Sequence, residues 1–197
     1  MASLIAVENV SADFVMQAPG RRDEDTRGGF TRGGWAQKLL AKDPEAMAAS
    51  LAGSGQTGAM LFGRITYLDL VGRWMTTKQK SPFVELMRVM PKFVASRTRQ
   101  NPLPYPNSAV LEGEAMAAVA ALKNEPRLQG DVVVLGSGNL LRQLIAADLV
   151  DQYVLTHLPV TLGEGTKLWD AMPANLEKVA STTGRTGIEV ATYQVSR

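Results

Sequence analysis

Residues 132–149 read VVVLGSGNLLRQLIAADL, which predicts a buried strand, a glycine turn and a helix in direct succession. The strand covers residues 132–135, and the residues from Leu140 to Leu149 have helical spacing. Such a turn aims free backbone N–H groups and the positive end of the helix dipole at one spot, where a phosphate can bind. Gly136 and Gly138 let the backbone approach a ligand closely. The segment therefore predicts an α/β fold that binds a nucleotide cofactor.

Length and composition exclude several classes of protein. The chain has 197 residues, so we expect one domain over residues 1–197. Its net charge is only +2 and no basic run with interleaved aromatic residues occurs, so we expect no nucleic-acid partner. The absence of cysteine excludes disulfides, thiolate catalysis and cysteine-ligated zinc, and no metal site is predicted. Because there is no signal pattern and no long apolar run, we expect a cytoplasmic protein without a membrane partner.

Strands and helices alternate along the rest of the chain. Apolar runs predict further strands at residues 4–10, 59–62, 92–95, 108–111, 151–162, 176–183 and 187–195. Helical spacing predicts helices at residues 35–51, 66–71, 82–90 and 114–123, the first broken or kinked at Pro44. The Gly- and Pro-rich residues 18–34 predict a loop, and the Pro-rich residues 101–107 a connection. This order predicts an α/β protein with a mostly parallel central sheet and an antiparallel C-terminal edge.

Three predicted strands end in residues that suit a phosphorylated ligand. In open α/β sheets, ligands bind at the carboxyl ends of the strands. The three ends read Gly63-Arg64-Ile65-Thr66, Ser96-Arg97-Thr98 and Gly136-Ser137-Gly138-Asn139. Arginine binds phosphate with two parallel hydrogen bonds, so a 2′-phosphate held by Arg64, Arg97 or both would favour NADPH over NADH. The alternative, a simple tight turn with two surface arginines, stays open. The turn does not match the Rossmann fingerprint, because the third glycine of that motif would fall at Leu141.

Five segments together resemble the dihydrofolate reductase-like family, in the branch that contains the reductase domain of riboflavin biosynthesis. They are VMQAPG at 15–20, GGW at 33–35, LFGRITY at 61–67, KFVASRT at 92–98 and the long run from VVVLGSGN to GTKLW at 132–169. The resemblance covers essentially the whole chain. It implies a three-layer α/β/α dihydrofolate reductase-like fold, NADPH lying across the strand ends, and a homodimer.

The resemblance also implies roles for individual residues. Gly63, Arg64 and Thr66 would meet the adenosine phosphate and the pyrophosphate, and Ser96 and Arg97 the adenosine end. The pyrophosphate and the nicotinamide side would be cradled by Gly136, Ser137, Gly138, Asn139 and Leu140.

The chain departs from its relatives at one position near the expected pocket. They often read Ser-Leu-Asp-Gly where this chain has Ser11-Ala12-Asp13-Phe14. Because phenylalanine is much bulkier than glycine, we expect Phe14 to narrow or reshape the mouth of the pocket.

Candidates for the substrate side are fewer. Asp13 follows the first strand and is the candidate catalytic residue; its alternative is a loop carboxylate that binds local N–H groups. Gln17 and Trp35 are candidate substrate-binding residues, although Trp35 could equally close a loop onto the core. The 20–34 loop is either a lid or a solvated excursion. His157 is the only histidine and is expected to be a core or dimer-facing residue.

These observations predict an NADPH-dependent oxidoreductase that transfers a hydride to a small, heterocyclic substrate. In such an enzyme the protein orients the reacting groups and excludes water. The acidic residue that holds the pterin in dihydrofolate reductases has no convincing counterpart, since Asp43 and Glu45 only flank Pro44. Strict folate activity is therefore not expected. The alternative is a non-catalytic nucleotide-binding or sensor protein on the same fold.

Overall fold

The computed structural model describes residues 1–52, 56–78, 82–98 and 102–197. Eight strands form one sheet with the order β4-β3-β2-β5-β1-β6-β8-β7. The strands are β1 Leu4–Ser11, β2 Thr57–Gly63, β3 Lys92–Ala95, β4 Ser108–Val110, β5 Asp131–Leu135, β6 Gln152–Leu158, β7 Leu176–Thr183 and β8 Glu189–Val195. The predicted α/β class is confirmed, with a mostly parallel sheet and an antiparallel C-terminal edge.

The helices are numbered in chain order. They are α1 Trp35–Leu40, α2 Pro44–Ala52, α3 Arg64–Thr66, α4 Gly72–Thr76, α5 Pro82–Val89, α6 Ala115–Lys123 and α7 Gly138–Ala146. A π-helical segment, Tyr67–Val71, joins α3 to α4, and a short 3₁₀ turn lies at Arg27–Gly29. In the part of the chain that the structure describes, no helix has the length and hydrophobicity of a membrane span.

The chain divides into two compact units. The first unit comprises Met1–Ala6 and Gly55–Asp151. In it β2 pairs in parallel with both β3 and β5, and β3 pairs in parallel with β4. Its buried core cluster consists of Met60, Phe62, Tyr67, Val71, Met87 and Val94. Because β2 lies between β3 and β5, the carboxyl ends of these three strands meet at one edge.

The second unit comprises Val7–Ser54 and Gln152–Arg197. In it β8 pairs antiparallel with both β6 and β7. A buried cluster contains, among others, Val15, Phe30, Trp35, Leu158 and Ile188. The predicted C-terminal hairpin is therefore present, and the α1–α2 region packs with it.

Several predicted boundaries shift for local reasons. The predicted helix at 35–51 is two helices, because Pro44 begins α2 and lacks the N–H that would continue α1. The predicted strand at 151–162 ends at Leu158, directly before Pro159. The helix predicted from Leu140 begins two residues earlier, at Gly138, and ends at Ala146. Residue 101 of the predicted connection lies outside the described residues.

Candidate cofactor and substrate sites

The end of β2 is tied to the start of α7. The backbone N–H of Gly63 donates a hydrogen bond to Ser137 Oγ at 2.9 Å. The same hydroxyl donates to the carbonyl of Leu135 at 3.3 Å. Arg64 begins α3 immediately after Gly63, and Nη1 of its guanidinium is shielded from solvent. One serine thus fixes two strand ends of the first unit against each other, with an arginine beside them.

The glycine turn leaves the N terminus of α7 open. Gly136 and Ser137 have φ values of 56° and 66°, so two successive residues adopt the left-handed conformation. Ser137 is the N-cap residue, but its side chain makes no capping hydrogen bond to the helix. The amides of residues 138–140 therefore keep the anion-binding character of an uncapped helix start. A Cβ at position 136 would lie 3.4 Å from Thr66 Cγ2, which is ordinary van der Waals contact, so the turn lies next to Thr66.

The end of β3 lies at the same edge. Gly63 pairs with Ala95, so Ser96 and Arg97 follow β3 directly beside the start of α3. Ser96 is half-buried, and its hydroxyl lies 3.1 Å from that of Thr98. Arg97 is exposed. An exposed guanidinium at the rim suits a phosphate that reaches into solvent.

The structure therefore places all of the predicted cofactor residues at three neighbouring strand ends of the first unit. Their roles toward a cofactor stay predictions. They are Gly63, Arg64, Thr66, Ser96, Arg97, Gly136, Ser137, Gly138, Asn139 and Leu140.

In the second unit, the carboxylate of Asp13 is occupied by local donors. Its Oδ1 accepts hydrogen bonds from Ser11 Oγ at 2.7 Å and from the N–H of Leu162 at 3.0 Å, and its Oδ2 from the N–H of Gly163 at 2.8 Å. Burial by itself raises the pKa of Asp13, but these bonds to the ionised form outweigh it and lower the pKa to about 2. A carboxyl that is ionised near neutral pH is a poor proton donor. The geometry favours the alternative, a carboxylate that holds a loop.

The side-chain amide of Gln17 uses its full hydrogen-bonding capacity within the protein. Its Nε2 donates to the carbonyls of Asp25 and Arg27 at 3.2 and 2.9 Å. Its Oε1 accepts from the N–H and the hydroxyl of Thr166 at 2.8 and 3.1 Å. An amide has two N–H donors and two acceptor positions, so none is left for a substrate. Gln17 anchors the 20–34 loop.

Trp35 also has a structural position. It is buried in the core cluster of the second unit, and its Nε1 donates to the carbonyl of Gln17 at 2.9 Å. Phe30, from the loop itself, is buried in the same cluster. The structure thus favours the alternative in which Trp35 closes the loop onto the core, and it shows the loop anchored rather than freely solvated. A function of the loop as a lid stays a prediction.

Phe14 occupies a backbone conformation that favours glycine. Its φ is 61°, in the left-handed region that costs a side-chain-bearing residue about 1 kcal/mol. Its ring meets that of Trp169 edge to face, with 6.1 Å between the centroids. The glycine of the relatives fits this φ without strain. At this position the chain therefore has a strained backbone, and the phenylalanine ring gains an aromatic contact.

His157 lies on β6 beside Tyr193 of β8. Its Nε2 and the tyrosine hydroxyl are 3.1 Å apart. Burial lowers the pKa of His157, while the charge of Glu189 raises it and that of Lys178 lowers it further. This is the packed position expected from the sequence. Within the described residues, no group of three or more His, Cys, Asp or Glu side chains is placed to hold a metal ion.

Glu8 is a buried carboxyl that was not among the residues predicted from the sequence. It lies in the middle of β1, only 6% exposed, and its Oε1 has no hydrogen-bond partner among the described residues. Burial, and after it the charge of Glu24, raises the pKa of Glu8 from 4.5 to about 8. The alternation of a strand puts Glu8 on the same face as the apolar Leu4 and Val10. A single carboxyl on an otherwise apolar strand face was the sequence signal that could have indicated a buried Glu8.

Comparison with known proteins places this geometry in a family. The model of the RibD C-terminal domain matches residues 2–190. No curated protein sequence matches the chain.

Three solved structures share the fold over nearly their full lengths. A structure named as a riboflavin biosynthesis protein from Shewanella sp. PV-4 is 21% identical, with a TM-score of 0.65 and 100% of both chains covered. A pyrimidine reductase-like protein from Corynebacterium diphtheriae NCTC is 13% identical, with a TM-score of 0.62 and coverage of 100% of this chain and 92% of that one. Dihydrofolate reductase from Schistosoma mansoni is 17% identical, with a TM-score of 0.59 and 99% of each chain covered.

These likenesses confirm the predicted dihydrofolate reductase-like fold. The family match, which spans nearly the whole sequence, goes further than the fold. The chain belongs to the family of the RibD C-terminal domain.

Proposed function

We propose that this protein is an NADPH-dependent reductase that transfers a hydride to a small heterocyclic substrate. The observation that carries the proposal is the open N terminus of α7, held beside the ends of β2 and β3 by the bond between Gly63 and Ser137. Membership in the family of the RibD C-terminal domain supports a reductase-type activity for this site. Bound NADPH would supply the hydride.

The residues at the three strand ends fit a phosphorylated dinucleotide. The uncapped amides of residues 138–140 suit a pyrophosphate, because several N–H groups and the helix dipole favour the same negative charge. Gly136, with a φ of 56°, carries no side chain that could obstruct this cradle. Arg64 and Arg97 would hold the 2′-phosphate, and Ser96 would lie at the adenosine end.

The substrate class is inferred from the relatives. Two of the similar structures are named for reductases, one pyrimidine reductase-like and one dihydrofolate reductase, and each name refers to a nitrogen heterocycle. Dihydrofolate itself is not proposed. Asp43 accepts hydrogen bonds from the N–H of Ala46 at 3.1 Å and from the N–H and hydroxyl of Thr186 at 2.9 and 2.7 Å, so its carboxylate holds a helix start and a turn.

We also propose that the whole chain acts as one catalytic domain and forms a homodimer, as the family resemblance implies. Sedimentation equilibrium of the purified protein would show a species of twice 21.2 kDa. A monomer at micromolar concentration would refute the dimer without affecting the proposal for the cofactor.

Cofactor titration tests the main proposal. We expect wild type to bind NADPH at least tenfold more tightly than NADH, since charge-assisted hydrogen bonds contribute about 1.5 to 3 kcal/mol each. Arg97→Ala should weaken NADPH binding and leave NADH binding nearly unchanged, whereas Arg64→Ala should weaken the binding of both cofactors, because Arg64 is also expected to meet the pyrophosphate that they share. Arg142→Ala, which removes the same charge from an exposed position on α7, is the matched control and should bind like wild type. Equal affinity of wild type for the two cofactors would contradict the assignment.

Turnover separates the reductase from the alternative, a nucleotide-binding protein without catalysis. The alternative gains weight from Asp13, Gln17 and Trp35, since all three are engaged within the protein. NADPH oxidation with a panel of pterins, flavin precursors and quinones would establish a reductase. Tight NADPH binding without oxidation across that panel would favour the sensor.

A further inference from the structure

The ends of β3 and β5 are joined to the end of β2 in different ways. The ladder between β2 and β3 continues to the last residue of both strands, where Gly63 pairs with Ala95. The ladder between β2 and β5 ends earlier along β2, at the pair of Leu61 and Val134. All three strands belong to the first unit. The ladder therefore fixes the end of β3 against the end of β2, but it does not fix the turn that follows β5.

The side chain of Ser137 connects that turn to β2. Its Oγ accepts a hydrogen bond from the N–H of Gly63 at 2.9 Å and donates one to the carbonyl of Leu135 at 3.3 Å. A hydroxyl has one proton to donate. Because this proton is directed to Leu135, none is left for a phosphate while both bonds persist. The hydroxyl therefore joins the end of β2 to the start of α7 and is not arranged as a ligand of the cofactor.

The backbone at position 137 does not explain why a serine is present there. Its φ of 66° lies in the left-handed region, which glycine adopts without strain and serine only at a cost. The hydroxyl does not cap α7 either. A Cβ built on Gly63 would lie 3.7 Å from Ser137 Oγ and 3.9 Å from Leu140 Cβ, so the first turn of α7 lies against the end of β2. The hydrogen bond to Gly63 is what serine offers over glycine, and it acts where α7 meets β2.

We infer that Ser137 is a positioning residue, whose hydroxyl holds the two halves of the cofactor site at the spacing that the whole dinucleotide requires. The inference rests on the proposed function. One half is the uncapped start of α7 at residues 138–140, for the pyrophosphate, and the other is Arg97 after β3, for the 2′-phosphate. A ligand that spans both halves depends on their spacing, whereas a fragment that touches one half does not. This role differs from the direct contact with the cofactor that the family resemblance implies for Ser137.

Amide exchange tests the hydrogen bond without any cofactor. In Ser137→Ala the acceptor for the N–H of Gly63 is gone, so this amide should exchange with solvent faster than in wild type. Ser108→Ala is the matched control, because the hydroxyl of Ser108 also donates to the carbonyl two residues before it, that of Pro106 at 3.2 Å, but lies at the amino end of β4. The control should leave the exchange of Gly63 as in wild type. Equal exchange of Gly63 in wild type and Ser137→Ala would overturn the inference.

Binding of the whole cofactor and of its fragments tests the positioning. Ser137→Ala should bind NADP⁺ about five- to tenfold more weakly than wild type, because the free energy of one hydrogen bond no longer favours the arrangement that binds it. Inorganic pyrophosphate and adenosine 2′-phosphate each fit one half, so both should bind the variant within about twofold of wild type. Ser108→Ala should bind all three ligands like wild type. Calorimetry measures the affinity for NADP⁺, and amide NMR measures that for the two fragments.

Ser137→Gly separates positioning from stability. Glycine relieves the left-handed φ but also lacks the hydroxyl. This variant should therefore be at least as stable as Ser137→Ala in urea unfolding, and it should show the same loss of affinity for NADP⁺. A stable variant that binds the cofactor weakly is not explained by a general loss of structure. Ser137→Gly also provides the binding test if Ser137→Ala does not fold.

The possible failures are distinguishable. If the variants bind NADP⁺ as wild type does, the inference on Ser137 is wrong while the reductase stands. If inorganic pyrophosphate loses as much affinity as NADP⁺, the hydroxyl is a direct ligand of the cofactor, and the inference is again wrong. If wild type does not bind NADP⁺, the proposed function fails, and the inference fails with it.

Discussion

The Glu8→Gln substitution makes a sharp prediction about stability, because the two side chains are nearly equal in size and only glutamate titrates. Burial and then Glu24 raise the pKa of Glu8 from 4.5 to about 8 in the folded protein. Between those values the folded state binds a proton that the unfolded state has lost, so stability falls as the pH rises. At about 1.36 kcal/mol per unit of pKa, the full loss amounts to about 5 kcal/mol. That is comparable with the entire stability of a marginal domain.

The assay is urea unfolding at a series of pH values. Stability from protonated Glu8 is fully present below pH 4.5 and is lost as the pH rises through about 8. Between about pH 5 and about pH 9, the free energy of unfolding of wild type should fall by about 4 kcal/mol more than that of Glu8→Gln. Glu45→Gln, which changes an exposed carboxyl of α2, is the control and should follow wild type. If the free energy of unfolding changed with pH equally in wild type and Glu8→Gln, the raised pKa of Glu8 would be refuted.

Three further predictions concern the second unit. Phe14→Gly should be more stable than Phe14→Ala by about 1 kcal/mol in urea unfolding, since only glycine relieves the positive φ; equal stabilities would argue against strain. Gln17→Leu should lose about 2 to 4 kcal/mol and speed amide exchange across residues 20–34, because four hydrogen bonds disappear; unchanged exchange would show that other contacts anchor the loop. The lowered pKa of Asp13 stabilises the folded state above pH 3.8, and this stabilisation is lost as the pH falls toward about 2. In Asp13→Asn the free energy of unfolding should therefore depend less on pH in this range, while the affinity for NADPH should stay the same.

The parts of the fold that follow from local pattern were predictable. The strand Lys92–Ala95 and the succession of strand, glycine turn and helix near Gly136 appear as predicted, because apolar periodicity and glycine report local conformation. The convergence of three strand ends also followed from the general rule for α/β sheets. Boundaries such as the end of β6 depended on a single following proline.

The roles of polar residues were harder to predict, because their partners lie far away in sequence. Asp13 was a candidate catalytic residue, with a loop carboxylate as the alternative, and Gln17 a candidate substrate-binding residue. Each side chain accepts a hydrogen bond from backbone about 150 positions along the chain, at Leu162 to Thr166. No pattern within the first 20 residues reveals those contacts. The burial of Glu8 was in principle visible in strand alternation, but its missing partner was not, because that depends on the packing of the folded chain.

The proposed function depends on binding of the cofactor's pyrophosphate at the open N terminus of α7. Backbone amide NMR of wild type titrated with NADP⁺ tests this binding, since each N–H reports separately. We expect the largest and saturable shifts at Gly63 and at residues 136–140, with Arg64 and Arg97 responding more weakly to NAD⁺ than to NADP⁺. Unmoved amides at residues 136–140 in a protein saturated with NADP⁺ would contradict the claim.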